Sequence, residues 1–441
     1  MDKERKSSKK LYYGWIVFGA CFLMVLVALG FGSSPKATFL KPITEQLGLE
    51  RGKFAVNDAI RHIMTALLNF FFGFLVKRLK ARRMIALGFA SLVISFTINA
   101  FANDYWQFYI AGAFFGTGLA WTTTTIVGYI TENWFTNSKG TMMGIILAAN
   151  GLGAFISEPI ITKLIYGMDG SLTGMAARWR LAYVVCAVLF LVVGIIVTLL
   201  VRDCPEEKGL KPLGQDKVKK NRGLSWTGYE MKEIFRKPFF YISGFCTFAI
   251  GFTLQSLAST AKPHMYDLNF SSDFVIPVFM IGSIVLLIAK MTFGILYDRF
   301  GIRPTFGICS LAAAIALLAL TLLSPERSWL AYVYALIGEW GYPLETVMIP
   351  LLVSQLFGRK SYSHVLGYFL ALNYLGYAVG VVVTNYLFDL MGTYRQILFV
   401  LMLVMIAAGL VSQFSFILSE RSRKKFMAEE EAAKAATLQE Q

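Results

Sequence analysis

Three ionisable side chains lie within long apolar stretches of the sequence, where a charge is costly and is therefore suspect as functional. Lys290 falls inside residues 273–296 and precedes Asp298 by eight positions, which places it about 12 Å deeper along a helix. Its ammonium could attract a carboxylate, or it could form a permanent ion pair with an acid on a neighbouring helix. Glu339 and Glu345 could carry a proton, because a carboxyl group removed from water holds its proton more readily, or they could be permanent partners of Lys290.

A second set of polar residues lies near the ends of the first two apolar stretches. Lys36 could extend outward to the membrane surface or contact a bound ligand. Asp58, Arg61 and His62 are spaced i, i+3 and i+4 and therefore share one helix face. That face predicts a solvated entrance or, alternatively, a site that steers or gates anions. Trp121 and the threonines that follow it could line a polar cavity, although threonine hydroxyls can also bond to carbonyls of their own helix.

The elements that would position these residues are membrane-spanning helices. Of the 441 residues, 56% are hydrophobic and 16% are charged, whereas soluble domains carry about 25% charged residues. A helix of roughly 20 apolar residues crosses the ~30 Å hydrocarbon core of a bilayer, and such stretches recur along the whole chain. The sequence therefore predicts an all-α membrane protein. Its twelve predicted spans are residues 12–34, 57–77, 84–102, 106–131, 141–165, 179–201, 239–261, 273–296, 304–323, 328–352, 363–388 and 394–418.

Basic residues gather in a few connectors, and this sets the predicted orientation. The net charge is +15, with the densest basic cluster between the sixth and seventh predicted spans. Positive connectors are typical of the cytoplasmic side, and their attraction to anionic lipid explains the charge without a nucleic-acid partner. We therefore expect a multi-pass protein of the cell (inner) membrane with both termini cytoplasmic. The predicted division is a tail (1–11), a six-helix bundle (12–201), a central loop (202–237), a second six-helix bundle (238–418) and a tail (419–441).

Two connectors at equivalent places in the two halves have similar sequences. Gly73-Phe-Leu-Val-Lys-Arg follows the second predicted span, and Gly294-Ile-Leu-Tyr-Asp-Arg follows the eighth. The shared positions are Gly73, Arg78 and Arg82 in the first segment and Gly294, Arg299 and Arg303 in the second. Such recurrence in halves of equivalent hydropathy indicates a duplicated architecture of two pseudo-symmetric bundles.

The second of these segments, with its Asp298-Arg299 pair and Gly301, resembles the loop motif of the major facilitator superfamily. The resemblance extends over essentially the whole chain. Within that superfamily the chain is similar to the oxalate/formate antiporter and monocarboxylate transporter group. The segments that carry this second resemblance are Trp134-Phe135 with Lys139-Gly140 and Gly144, Pro205-Glu-Glu-Lys-Gly-Leu210, and Pro35-Lys36 ahead of Phe39-Leu40-Lys41.

The resemblance implies a major facilitator fold and a secondary transporter that moves a small organic anion, a monocarboxylate, by alternating access. Proton symport and anion exchange both remain open. The predicted substrate-binding residues are Lys290, Lys36, Arg61, Asn373 and Trp121, and the predicted proton-coupling residues are Glu339 and Glu345. The predicted gating residues are Gly294, Asp298, Arg299, Gly301, Arg303, Gly73 and Arg78.

The chain also departs from the family pattern at four positions. Lys77 stands where the loop motif has an aspartate, and Lys80 stands where it has a glycine. That aspartate helps to latch one conformation by pairing with a basic group and a helix N-terminus, so only the latch of Asp298 with Arg299 is expected to operate in full. Relatives carry arginine at Lys290, and the eleventh-span lysine of the oxalate carrier corresponds to Asn373, which weakens the case for oxalate.

Other functional classes find less support in the sequence. It has no phosphate-binding glycine loop and no HExxH, GxSxG or CxxC motif, so we expect neither an enzyme nor a cofactor or metal site. The five cysteines lie mostly in apolar stretches and are predicted to be buried free thiols. An aromatic content of 15% leaves an efflux carrier for amphipathic or drug-like compounds as an alternative. A transporter-like nutrient sensor is a second alternative, and a monomer is the expected assembly.

Overall fold

A computed structural model describes residues 12–49, 51–136, 138–166, 175–213 and 228–439. Over those ranges the chain is almost entirely helical, and its only extended pairings there are the isolated bridges Phe135–Leu213 and Gly228–Gly358. The prediction of an all-α protein is confirmed. The predicted N-terminal tail (1–11) and part of the predicted central loop (214–227) lie outside the described residues.

The first half of the chain forms helices because a helix satisfies its own backbone groups, which a bilayer cannot do. α1 continues as a π-helical stretch, Leu26–Phe31, and a non-helical residue, Thr123 (φ −128°, ψ −142°), separates α5 from α6. The helices are α1 (Tyr13–Val25), α2 (Lys36–Leu47), α3 (Arg51–Phe70), α4 (Phe72–Phe101), α5 (Tyr105–Thr122), α6 (Thr124–Trp134), α7 (Lys139–Tyr166) and α8 (Met175–Leu200).

The second half repeats this arrangement after a connector that includes a 3₁₀ turn, Pro205–Lys208. Its helices are α9 (Met231–Ile234), α10 (Pro238–Asp267), α11 (Ser272–Phe300), α12 (Ile302–Leu322), α13 (Trp329–Ile337), α14 (Ile349–Phe357), α15 (Tyr362–Met391) and α16 (Arg395–Gln439). The predicted tail from residue 419 therefore continues the last span as helix. A further 3₁₀ turn, Pro325–Arg327, precedes α13.

Ten helical runs in the described part of the chain are long and apolar enough to cross a membrane. The predicted spans 57–77 and 328–352 are not among them, for two different reasons. α3 carries a buried polar stripe, and the run from α13 to α14 is interrupted by short 3₁₀ and π-helical segments. With these two included, twelve helical runs correspond to the twelve predicted spans.

The polar stripe of α3 recurs at every fourth residue and faces the protein interior. Its members, each no more than 9% exposed, are Asn57, Arg61, Thr65 and Asn69. The other side of α3 carries Ile63 and Leu67, which are more than half exposed and suited to contact lipid. α3 is also shifted from its predicted bounds, because it begins at Arg51 and ends before a non-helical residue, Phe71.

Two seams join the halves: α7 packs against α11, and α3 packs against α15. The turn at Lys80 within α4 and the connectors between α6 and α7, α11 and α12, and α14 and α15 lie at one end of both seams. We call this end the basic face and the other end the opposite face. The basic face is the one predicted to be cytoplasmic.

Candidate functional site

Lys290 lies in the middle of α11 and is 3% exposed. Within the described ranges its ammonium forms no hydrogen bond and no ion pair. Glu345 and Glu339 are close enough to act on its charge without contacting it. The permanent ion pair with either acid that the sequence left open is therefore not formed in this conformation.

The two acids lie on the interrupted run between α13 and α14. A 3₁₀ turn at Gly338–Trp340 and a π-helical stretch at Leu344–Met348 replace regular helix there, and π-helical stretches are frequent at functional sites. Glu345 is 9% exposed; its carboxyl group interacts with the hydroxyl of Tyr377, while its Oε2 has no hydrogen-bond partner. A buried carboxyl oxygen without a donor is costly, so this group is suited to acquire a proton or a ligand.

A second charged cluster lies in the other half, where α2 begins beside α3. Lys36 and Asp58 form an ion pair, and Arg61 Nη2 lies 3.1 Å from the same carboxylate. Arg61 also donates to the Ser33 hydroxyl at 3.2 Å, and its Nε is buried without a partner. Arg61 is only 9% exposed, whereas the side chain of Asp58 is 42% exposed. The solvated entrance and the anion-steering site therefore both stay predictions for this partly buried cluster. It contains two cations and one anion.

His62 connects the two charged regions across the seam between α3 and α15. Its Nε2 lies 3.1 Å from Arg61 Nη2, and its ring contacts Tyr377 with centroids 5.6 Å apart. Tyr377 in turn meets Glu345. A chain of polar side chains therefore runs from the Lys36 cluster in one half to the acids of the other.

Asn373 and Trp121 do not join this constellation. Asn373 is 1% exposed, donates to the Thr247 carbonyl at 3.2 Å and packs on Gly251, so its amide serves the contact between α15 and α10. The indole nitrogen of Trp121 is buried without a hydrogen-bond partner, and its side chain packs against Gly88 of α4.

Two of the four threonines after Trp121 bond to their own helix. Thr122 and Thr123 donate to the carbonyls of residues four positions earlier, at 2.8 and 2.7 Å. Thr125 instead donates to Asn69 Oδ1 at 2.6 Å. Asn69 was not identified from the sequence, although the internal repeat contained the signal: it precedes Gly73 by four residues, as Lys290 precedes Gly294.

Asp298 holds the two halves together at the basic face. Its carboxylate accepts from the backbone N–H of Gly140 (3.0 Å) and of Thr141 (2.7 Å) and from the Thr141 hydroxyl (2.6 Å). These donors belong to the first turn of α7, where a helix favours a negative charge. Arg299 is not its partner, contrary to the expectation from sequence, since the guanidinium lies over the ring of Phe300 at 5.3 Å.

The other predicted gating residues of the second half also lie at the basic face. Gly294 approaches α7 so closely that a Cβ on it would lie 2.2 Å from the Gly140 carbonyl oxygen. Arg303 lies 3.6 Å from Glu420 of α16. Gly301 adopts φ 82° and ψ −177°, a conformation that is essentially restricted to glycine.

Lys80 occupies the position equivalent to Gly301 and adopts nearly the same backbone conformation, φ 64° and ψ 151°. Lys80 therefore keeps the turn that Gly301 makes in the other half, but its backbone is strained. Asp203, which the sequence did not single out, supports the helix after this turn: it accepts from the backbone N–H of Ala81 (2.7 Å) and Arg82 (3.0 Å). This contact lies within one half, whereas that of Asp298 joins the two.

Glu132 forms a second bridge between the halves at the basic face. It is 5% exposed and accepts from Lys139 (2.5 Å), Arg359 (2.8 Å) and Ser354 (2.9 Å). Arg359 and Ser354 belong to the second half. The basic face is therefore closed in this structure by two carboxylates, of which Glu132 is buried and Asp298 is exposed.

The chain belongs to the major facilitator superfamily, whose family model matches residues 20–282 and 244–439. It is similar to the uncharacterized MFS-type transporter YcxA of Bacillus subtilis (strain 168), with 24% identity over 262 residues. That alignment covers 58% of this chain and 59% of YcxA, so the chain spans less than two thirds of this relative's length.

Two solved structures share the fold. The proton:xylose symporter XylE, bound to 6-bromo-6-deoxy-D-glucose, has a TM-score of 0.71 at 16% identity and covers 90% of this chain and 94% of its own. The E. coli fucose:proton symporter FucP has a TM-score of 0.66 at 14% identity and covers 92% of this chain and 99% of its own. The chain is thus a multi-pass membrane protein of this superfamily with the major facilitator fold.

Proposed function

We propose that this transporter moves a small organic anion, a monocarboxylate, by alternating access. The observation that carries the proposal is the buried ammonium of Lys290, which has no contacting counter-ion among the described residues. A charge buried in this way is costly unless it is paired. A substrate carboxylate that reaches the centre of the protein would supply the missing partner.

The second charged cluster supports a substrate of the same sign. Lys36 and Arg61 share the single carboxylate of Asp58, so this cluster keeps one excess positive charge. It lies in the half opposite Lys290, and His62 and Tyr377 connect the two regions. An anion would therefore meet positive charge from both halves, which suits a site between two bundles that rock about it.

Glu345 is the proposed proton carrier, with Glu339 as its neighbour. A proton on Glu345 would satisfy its unpaired oxygen and leave Lys290 free for the substrate. XylE and FucP are proton symporters, and the same coupling is proposed for this chain. Exchange of two anions is the competing mode, and it needs no proton carrier.

The subgroup, the membrane location and the assembly of the protein are part of the same proposal. The resemblance to the oxalate/formate antiporter and monocarboxylate transporter group favours an anion carrier, and the basic connectors favour a cytoplasmic location for the basic face. We infer a location in the cell (inner) membrane with both termini cytoplasmic. A monomer is proposed because one chain already contains both bundles.

The test is uptake of labelled formate, acetate, lactate, pyruvate and oxalate into vesicles containing the purified protein, with and without an inward proton gradient. We expect saturable uptake of a monocarboxylate that is lost in Lys290→Gln and retained in Lys163→Gln, an exposed lysine of α7. Equal uptake with and without the proton gradient would favour anion exchange over proton symport. Absence of uptake with folded protein would favour the efflux carrier, and binding without transport would favour the sensor.

A further inference from the structure

The two seams are alike in backbone geometry but carry opposite charges at the basic face. In the seam of α7 and α11, Gly294 touches the start of α7, and Asp298, four residues later, caps that helix. In the seam of α15 and α3, Gly73 touches the start of α15 in the same way, since a Cβ on it would lie 2.3 Å from His364 Nδ1. Four residues later the chain has Lys77, a cation where the other seam has its anion.

Nothing in the described part of the chain neutralises this cation. Lys77 and the adjacent Arg78 are exposed, and neither forms an ion pair there. The charge of Lys77 acts on His364, and the guanidinium of Arg78 lies over the ring of Phe74 at 5.0 Å. The basic pair is therefore available to an anion from outside the protein.

Acids and hydroxyls of the neighbouring connector are already engaged. Glu230 holds Lys360 at 2.7 Å. The Ser361 hydroxyl, at the start of α15, donates to the Tyr229 carbonyl at 3.1 Å and does not cap the helix. This end of the seam lacks the internal carboxylate that Asp298 provides at the other.

An exposed aromatic surface borders the basic pair. Phe70, Phe71 and Phe74 are each about half exposed, at 51%, 48% and 51%, and Phe235 is 44% exposed. The ring of Tyr368 joins them across the seam, 5.0 Å from Phe70 and 6.2 Å from Phe235. Phe74 and Phe70 precede Lys77 by three and seven residues, which places them about 4.5 and about 10 Å deeper along the helix. The surface is therefore suited to contact lipid acyl chains below a headgroup.

We propose that an anionic phospholipid binds at this end of the α3–α15 seam. Its phosphate would contact Lys77 and Arg78, with charge-assisted hydrogen bonds of the kind that basic side chains form with phosphate. Its acyl chains would cover the aromatic surface. The lipid would thus supply from the bilayer the negative charge that Asp298 supplies from the protein at the other seam.

The test uses the full-length protein in nanodiscs of pure phosphatidylcholine or of phosphatidylcholine with phosphatidylglycerol. Each basic side chain near the lipid headgroups contributes roughly a fivefold preference for anionic lipid, so the pair should give roughly 30-fold. Native mass spectrometry of retained lipid should show that preference in the wild type and its loss in Lys77→Gln/Arg78→Gln. Equal retention of both lipids by the wild type, or an unchanged preference in the double variant, would overturn the proposal.

Thermal unfolding in the same nanodiscs tests whether a carboxylate on the protein can replace the lipid. We expect the wild type to be more stable with phosphatidylglycerol, and Lys77→Asp to be equally stable in both lipids because it restores an internal carboxylate. Arg299→Gln is the matched control: it removes the same charge beside Asp298 and should keep the lipid effect. Stabilisation of the wild type by inorganic phosphate in pure phosphatidylcholine, or a lipid effect that persists in Lys77→Asp, would contradict a lipid site.

Discussion

Replacing Asp298 by asparagine should open the basic face without unfolding the protein. The asparagine side chain would lack the charge that faces the first turn of α7 and would turn an NH₂ group toward donors that Asp298 now satisfies. A hydrogen bond to a charged group contributes about 1.5–3 kcal/mol and a neutral one about 1 kcal/mol. A charge at a helix N-terminus adds about 0.3–1 kcal/mol. We expect a net loss of about 2 kcal/mol from the closed state, which raises the open-to-closed ratio about 30-fold.

The opening can be measured as a distance between the halves at the basic face. Spin labels on Arg83→Cys and Lys424→Cys would report it, since both positions are exposed and lie in different halves. Cys204 should be replaced by serine, because the other four cysteines are buried. Pulsed electron paramagnetic resonance should then show a larger population at long distance in Asp298→Asn.

Asp203→Asn is the matched control for this prediction. Asp203 also accepts from two backbone N–H groups at the start of a helix segment, but within one half. Its substitution should lower thermal stability and leave the distance distribution unchanged. A wild-type distribution in Asp298→Asn, or an equal shift in Asp203→Asn, would refute the reasoning that the Asp298 contact controls opening.

Three further predictions concern single residues. Lys80→Gly should raise the unfolding free energy by about 1 kcal/mol, read as a higher Tm, because backbone strain of about 1–3 kcal/mol exceeds the entropic cost of glycine; an unchanged or lower Tm would contradict the strain. Glu345→Gln should abolish gradient-driven uptake but keep counterflow of substrate, and loss of both would argue against a role confined to protons. Gly294→Ala should bias the protein toward the open basic face, because its Cβ would lie 2.2 Å from the Gly140 carbonyl oxygen. Gly19→Ala, with no atom near its Cβ, should leave the distance distribution unchanged.

The fold was predictable because each span had to be apolar over its whole length. Two spans depart from this rule. α3 hides its polar residues at every fourth position, which a count of apolar residues does not reveal, and its start at Arg51 was missed. The tenth span is predicted as one stretch, but Gly341 and Pro343 divide it, and only the structure shows that π-helical turns place Glu345 in the interior.

The candidate site was predictable only in part, because sequence gives depth along a helix but not the direction of a side chain. Lys290, Glu339 and Glu345 do lie near one another. Asn373 is predicted from its correspondence with a lysine of a relative, but in the structure its amide faces α10. Tyr377, which links Glu345 to His62, had no sequence signal, because tyrosine is frequent in this chain and its partner lies on another helix.

The buried polar stripe of α3 has a consequence for how the protein is made. An arginine at the centre of a helix opposes entry into lipid by about 2.5–3.5 kcal/mol. Arg61 lies eight residues, about 12 Å, from Asn69, the equivalent of Lys290, so its cost is smaller but still opposes entry. α5 shields this stripe: its Gly112 and Gly116 contact the backbone carbonyls of Asn57 and Arg61, and the Thr65 hydroxyl donates to Gly116 at 3.0 Å. α5 is synthesised only after the whole of α4. We therefore expect α3 to remain at the translocation channel until α5 emerges, so that the two helices enter the bilayer together during translation.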